Sequence, residues 1–136
     1  MARVLIVPCG CRGRELAAAL RADGHAVRGT TRGAHVEDIR TSGAEAYVGD
    51  PDRIATLMDA LHGVTIACWL AGGLEIPEGR LRMFLEKLVD TGVRGVVYEG
   101  AHADTARRAS ETWQIPLEVL TPGADAKAAV DRLLGV

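Results

Sequence analysis

Short apolar runs rich in β-branched residues alternate along the chain with longer stretches whose apolar positions recur every three or four residues. Residues 3–8 (RVLIVP) carry an almost continuous apolar run, the pattern of a strand buried on both faces. Residues 11–23 predict a helix, with Leu16 and Leu20 at i and i+4 and Gly24 as its stop. A second strand at 26–30, a short helix at 36–42 ended by Gly43, and a third strand at 46–48 follow. Asp50-Pro51-Asp52 reads as an N-cap with proline at the first helical position, which predicts a helix running through Leu61. The remaining elements are a strand at 64–70, a helix at 78–91 with Leu81, Leu85 and Leu88 at helical spacing, a strand at 95–99, a helix at 103–113, a strand at 117–120 and a helix at 125–134.

Six strands alternating with six helices, joined by short connections, predict an α/β architecture. The expected form is a three-layer, doubly wound Rossmann fold with a parallel six-stranded sheet in the order 3-2-1-4-5-6. One domain over residues 1–136 is expected to account for the whole chain, with no repeat, linker or low-complexity tract.

Composition narrows the function classes. Sixteen basic residues against eighteen acidic ones leave a net charge of −2, so there is no electrostatic footprint for nucleic acid or an anionic membrane. The longest uninterrupted apolar run, 66–71, is far short of the roughly 20 residues that span a bilayer. No basic segment leads into an apolar export signal, and three cysteines are an odd, sparse set for a disulfide framework. The expectation is a cytoplasmic protein. Cys9 and Cys11 form C-x-C, too few thiols for a tetrahedral zinc site, and no histidine spacing completes a set, so no metal is expected.

The chemistry concentrates at the carboxyl ends of the strands. The first strand runs into Pro8-Cys9-Gly10-Cys11-Arg12-Gly13 and then a helix. Against the dinucleotide fingerprint G-x-G-x-x-G, Gly10 and Gly13 hold the second and third positions, and Pro8 stands at the first. Gly10 lets backbone approach a pyrophosphate, Gly13 lets helix and strand pack closely, and the helix start offers free N–H groups to an anion. The second strand ends in Thr31-Arg32, where an NAD site expects an acid. A hydroxyl beside a guanidinium suits a ribose 2′-phosphate instead, which favours NADP over NAD. Asp50 and Pro51 follow the third strand, where Asp50 is both a helix N-cap and a neighbour of the expected adenine. Leu70-Ala71-Gly72, after the fourth, are small enough to let a cofactor pass over the sheet edge or simply to form a turn.

These motifs resemble the short-chain dehydrogenase/reductase superfamily in its extended and atypical, NmrA-like branches, reduced to the nucleotide-binding core. The residues that carry the resemblance are RVLIVPCGCRG at 3–13, GTTR at 29–32, GD at 49–50, VRGVVYEGA at 93–101 and IPLEVLTPG at 115–123. The resemblance implies an NAD(P) cofactor and, for catalysis, a Tyr-x-x-x-Lys pair. Four residues beyond Tyr47 and Tyr98 stand Pro51 and His102, and neither Lys87 nor Lys127 follows a tyrosine at that spacing. Glu99-Gly100 replaces the usual hydroxyl-bearing pair after the fifth strand. The expected function is therefore a catalytically degenerate NAD(P)-binding sensor or regulatory module with no catalytic residues of the usual kind. The alternatives are a reductase that draws polar help from Glu99, His102 or Glu75, an RCK-like regulatory ligand-binding domain, or a structural remnant that binds nothing. The resemblance also implies a homodimer through helices 78–91 and 103–113, in keeping with the wide apolar arc of Leu81, Met83, Phe84, Leu85, Leu88 and Val89 and with Trp113 as an anchor.

Overall fold

The structure is a computed structural model that describes residues 2–136. In chain order its elements are β1 (Arg3–Val7), α1 (Cys11–Ala22), β2 (Ala26–Thr31), α2 (Val36–Thr41), β3 (Glu45–Val48), two 3₁₀ turns (Ile54–Leu57 and Asp59–Leu61), β4 (Ile66–Leu70), α3 (Glu78–Leu88), β5 (Gly95–Glu99), α4 (Ala103–Trp113), β6 (Leu117–Val119) and α5 (Ala126–Leu134). The six strands form one sheet in the order β3-β2-β1-β4-β5-β6, and every pairing is parallel. This is the doubly wound α/β fold expected from the alternation of strands and helices.

Alternate strand residues feed two separate cores, because successive side chains of a strand point to opposite faces. Leu5, Val7, Ala67, Trp69, Val96 and Tyr98 pack under α3, α4 and the 3₁₀ turns. Val4, Ile6, Ile66, Cys68 and Val97 pack under α1, α2 and α5. Trp69 and Phe84 meet in the first core with ring centroids 4.9 Å apart. The central strands are thus apolar on both faces, as a sheet covered on both sides requires.

The helix expected from Asp50 to Leu61 does not form; two 3₁₀ turns take its place, leaving five α-helices among the described residues. The burial pattern gives the reason. Ile54, Leu57, Ala60 and Leu61 are buried, and the spacing of three from Ile54 to Ala60 suits one face of a 3₁₀ turn. Local bonds reinforce the tight winding. Arg53 N donates to Asp50 O at 2.8 Å, and the Thr56 hydroxyl donates to Arg53 O at 2.6 Å. Asp50 is therefore not a helix N-cap; its carboxylate accepts from Asp52 N at 2.9 Å in a local turn. Arg28, buried on β2, holds the segment from beneath by donating to the carbonyls of Ala60 (3.0 Å) and His62, with its guanidinium 5.3 Å from the Tyr47 ring centroid.

The apolar arc of α3 is largely consumed within the fold. Leu81, Phe84, Leu85 and Leu88 are buried, and only Met83 and Val89 of the six are exposed. No helix among the described residues is long and apolar enough to cross a membrane.

Candidate functional site

The carboxyl ends of the strands form one edge of the sheet, and the loops there carry most of the residues singled out in the sequence. β1 feeds α1 through Pro8-Cys9-Gly10, with the Cys9 N–H donated to Thr30 O at 2.8 Å, which ties the loop to the end of β2. The Cys9 side chain lodges against that strand. A Cβ at Gly29 would lie 2.7 Å from Cys9 Cβ and Sγ, so only glycine admits it. Burial pushes the Cys9 thiol up to about 11, with Arg14 pulling against it, so it is a packed neutral thiol at neutral pH. Cys11, in contrast, is exposed.

The two fingerprint glycines have different physical jobs. A Cβ at Gly13 would lie 3.0 Å from Ile6 Cγ2 and 3.3 Å from Pro8 O, so Gly13 serves the close packing of α1 on β1. A Cβ at Gly10 would meet nothing within 4 Å. Protein packing gives no reason for glycine there, whereas a ligand resting on the backbone would. Gly10 caps α1 without any side-chain bond, the first turn holds no acid, and Arg12 and Arg14 lie in that turn. Cations at a helix N-terminus are unfavourable by roughly 0.3–1 kcal/mol each unless an anion offsets them.

A groove of about 300 Å³ opens over Gly10 and runs toward β2 and β3. It is lined by Pro8, Cys9, Gly10, Thr30, Thr31, Arg32, Ala34, His35, Gly49, Pro51 and Leu74. Of the residues expected from sequence, Cys9, Gly10, Thr31, Arg32 and Pro51 come together in it. Asp50 joins them through Arg32, whose Nε donates to Asp50 Oδ1 at 3.1 Å. That single bond fixes the guanidinium and leaves its terminal nitrogens toward solvent, the Arg32 side chain being 56% exposed. Thr31 Oγ1 accepts from Gly33 N at 3.2 Å and His35 N at 3.3 Å, ordering the loop, and its own O–H is left to donate. Thr30 was not anticipated. It is 1% exposed, and its hydroxyl has no hydrogen-bond partner among the described residues. Threonine within a strand gives no sequence signal of this kind; only the groove beside it makes it notable.

Cys11, Arg12, Gly13, Leu70, Ala71 and Gly72 lie outside that groove. Arg12 crosses instead to the far side of the edge, pairing with the Glu99 carboxylate and donating to Ala124 O. Ala71 N donates to Glu99 O at 3.1 Å, and a Cβ at Gly72 would lie 2.7 Å from Glu99 Oε2. The small residues after β4 are thus matched to the Glu99 side chain. Glu99 is itself buried, at 8% exposure. Its partner could not be read from sequence, because 87 positions separate it from Arg12.

Most of the residues weighed for proton chemistry have partners within the fold. Tyr98 is in the core, its hydroxyl accepting from His102 N at 2.8 Å, and burial holds its ionisation above the usual phenol range. Tyr47 lies beneath Arg28. Lys127 is held between Asp23 (2.6 Å) and Asp131 (2.7 Å), hydrogen bonds that raise its own ionisation well above the usual lysine range. The His102 ring meets Ile76 O at 3.1 Å, and Glu75 is exposed. Among the described residues no three His, Cys, Asp or Glu side chains converge as a metal site would need.

No protein-family model matches the chain, and no curated protein sequence matches it. Solved structures do. Triphenylmethane reductase from Citrobacter sp., complexed with NADP(H), superposes with a TM-score of 0.69 at 17% identity, over 96% of this chain and 52% of that one. A Rossmann-fold NAD(P)-binding family protein from Shigella flexneri gives 0.67 at 18% identity, over 88% of this chain and 66% of that one. A short-chain dehydrogenase/reductase superfamily protein from Agrobacterium tumefaciens with bound NAD gives 0.57 at 26% identity, over 71% of this chain and 31% of that one. The chain spans about half the length of the reductase it matches. What these neighbours share with this chain is the fold.

Proposed function

We propose that the chain is an NAD(P)-binding core of the atypical short-chain reductase kind that prefers NADP and lacks the usual proton-transfer machinery, acting as a sensor or regulatory module. The observation that carries the reading is the groove that starts at the unencumbered backbone of Gly10 and ends at Arg32. The residues present fit a phosphorylated adenosine. Gly10 and the first turn of α1 offer backbone N–H groups to a pyrophosphate, and the Arg32 fork with the Thr31 hydroxyl suits a 2′-phosphate. Thr30 lines the same groove, and its buried hydroxyl has no partner among the described residues.

A nicotinamide, when bound, supplies hydride, but most of the acid–base groups weighed for proton transfer are engaged in structure. Tyr98, Lys127 and Glu99 each have internal partners, which supports binding without turnover. Calorimetric titration with NADPH and NADH tests the reading. Binding of NADPH at least about tenfold tighter than NADH is expected, and no heat with either refutes it. Absorbance of the reduced nicotinamide against quinones, flavins and carbonyls is expected to stay flat; steady turnover with any of them favours the reductase alternative.

The partner that goes with this reading is a second copy of the chain docked on α3 and α4. Its support is the exposure of Met83 and Val89 and the half-buried Trp113. A monomeric mass by light scattering refutes it.

A further inference from the structure

Beyond Gly10, outside the groove, a bridge of side chains crosses the carboxyl edge of the sheet. In a doubly wound sheet, ligands cross the crevice at the carboxyl edge where the strand order reverses, which here is between β1 and β4. Arg12 leaves the first turn of α1, directly after β1, and pairs with Glu99, the last residue of β5. β4 lies between those two strands, so the ion pair spans its carboxyl end, and Gly72 beyond β4 abuts the Glu99 carboxylate. The second contact, from Arg12 to Ala124 O, fastens the same guanidinium to the loop before α5. The crevice is thereby divided. Its β2–β3 side is an open groove, and its β4–β5 side is spanned.

The bridge resists opening because its carboxylate is desolvated. The Glu99 side chain is 10% exposed and that of Arg12 34%. A ligand that displaced Arg12 would leave a buried carboxylate without its cation, and such a charge is costly unless paired. On the other side, Thr30 has an unpartnered hydroxyl and Arg32 an exposed guanidinium.

We propose that the Arg12–Glu99 bridge sets the ligand class. The groove takes an adenosine 5′-phosphate bearing a second phosphate on its ribose, and a nicotinamide ring adds nothing to the affinity while Arg12 holds Glu99. The inference rests on the nucleotide reading above and narrows it. The test is calorimetric titration of the full chain with NADPH and with 2′-phospho-ADP-ribose, which lacks the nicotinamide. In the wild type the two dissociation constants are expected to agree within about twofold. In Glu99→Ser, which removes the bridge, NADPH is expected to gain about tenfold over 2′-phospho-ADP-ribose. Should Glu99→Ser not fold, Arg12→Ala opens the bridge from the other side, and the wild-type comparison needs neither variant. A wild type that binds both ligands but prefers NADPH by about tenfold or more overturns the bridge proposal and leaves the nucleotide reading intact. An unchanged ratio in the opened variant also overturns it. Binding of neither ligand by the wild type sinks the nucleotide reading and this proposal with it.

Discussion

Arg32→Ala separates recognition of a 2′-phosphate from everything else Arg32 does. In the structure the residue makes one side-chain bond, Nε to Asp50 at 3.1 Å, with 56% of its side chain exposed and 28% of its partner's. An ion pair that accessible is screened by water and salt and contributes at most about 1 kcal/mol to folding. The melting temperature of the variant should therefore move by only a few degrees. The terminal guanidinium nitrogens are the part a phosphate would engage. Charge-assisted bonds of that kind contribute about 1.5–3 kcal/mol, so loss of the side chain should weaken NADPH binding roughly 10- to 150-fold. NADH, which has a hydroxyl at the same position, should lose no more than about twofold. Calorimetry with both cofactors on wild type and variant measures the difference, and a repeat in high salt should narrow it. An equal loss for the two cofactors would mean that Arg32 shapes the loop rather than reads the phosphate. No loss for either would refute the assignment of the 2′-phosphate to this end of the groove.

Other substitutions test the remaining claims. Gly10→Ala meets open space, so stability should hold within about 0.5 kcal/mol while nucleotide affinity falls at least about tenfold; Gly13→Ala presses on Ile6 and the Pro8 carbonyl and should cost about 1–3 kcal/mol in urea unfolding. Arg28→Met strips the charge-assisted bonds to the Ala60 and His62 carbonyls and should destabilise the fold by about 2–4 kcal/mol, read as a lowered urea midpoint; a change under about 0.5 kcal/mol would show that the 3₁₀ segment holds itself. Burial pushes the Cys68 thiol from an ordinary 9.0 up to about 12. A thiol whose ionisation is raised by folding keeps its proton in the native state while the unfolded chain loses its own. Stability is therefore unaffected below pH about 9 and falls as pH rises toward about 12, by up to about 1.4 kcal/mol per pH unit. Urea unfolding from pH 8 to pH 10.5 should show a shallower alkaline loss in Cys68→Ala than in the wild type, and identical slopes would refute this.

Hydrophobic periodicity was sufficient for the sheet order, because in a parallel sheet covered on both faces the apolar runs mark each strand and the amphipathic stretches mark each crossover. It failed at residues 51–61, where Pro51 after Asp50 imitates a helix start. There the chain winds as two 3₁₀ turns, held by local bonds around Arg53 and by Arg28 from a distant strand. The site divides the same way. Gly10, Thr31 and Arg32 line one groove, and their placement there was legible locally because each sits at a strand end. Gly72 was weighed as clearance for a cofactor, yet what abuts it is Glu99, and that pairing depends on side chains meeting across the folded sheet. Thr30 carries no local mark at all, since a buried threonine is ordinary in a strand until its hydroxyl is found unpaired.

The final helix has a consequence for how the chain is made. Ala126, Ala129 and Val130 of α5 close the same core that holds Val4, Ile6 and Leu20, and Lys127 clasps Asp23 just beyond α1. A ribosome delivers β1 and α1 more than a hundred residues before it delivers α5. Until then the nascent chain has one face of its central strands roofed only by α1 and α2. That interval, with apolar surface unsheltered, is when a chaperone would find its handhold and when a stalled fragment would aggregate.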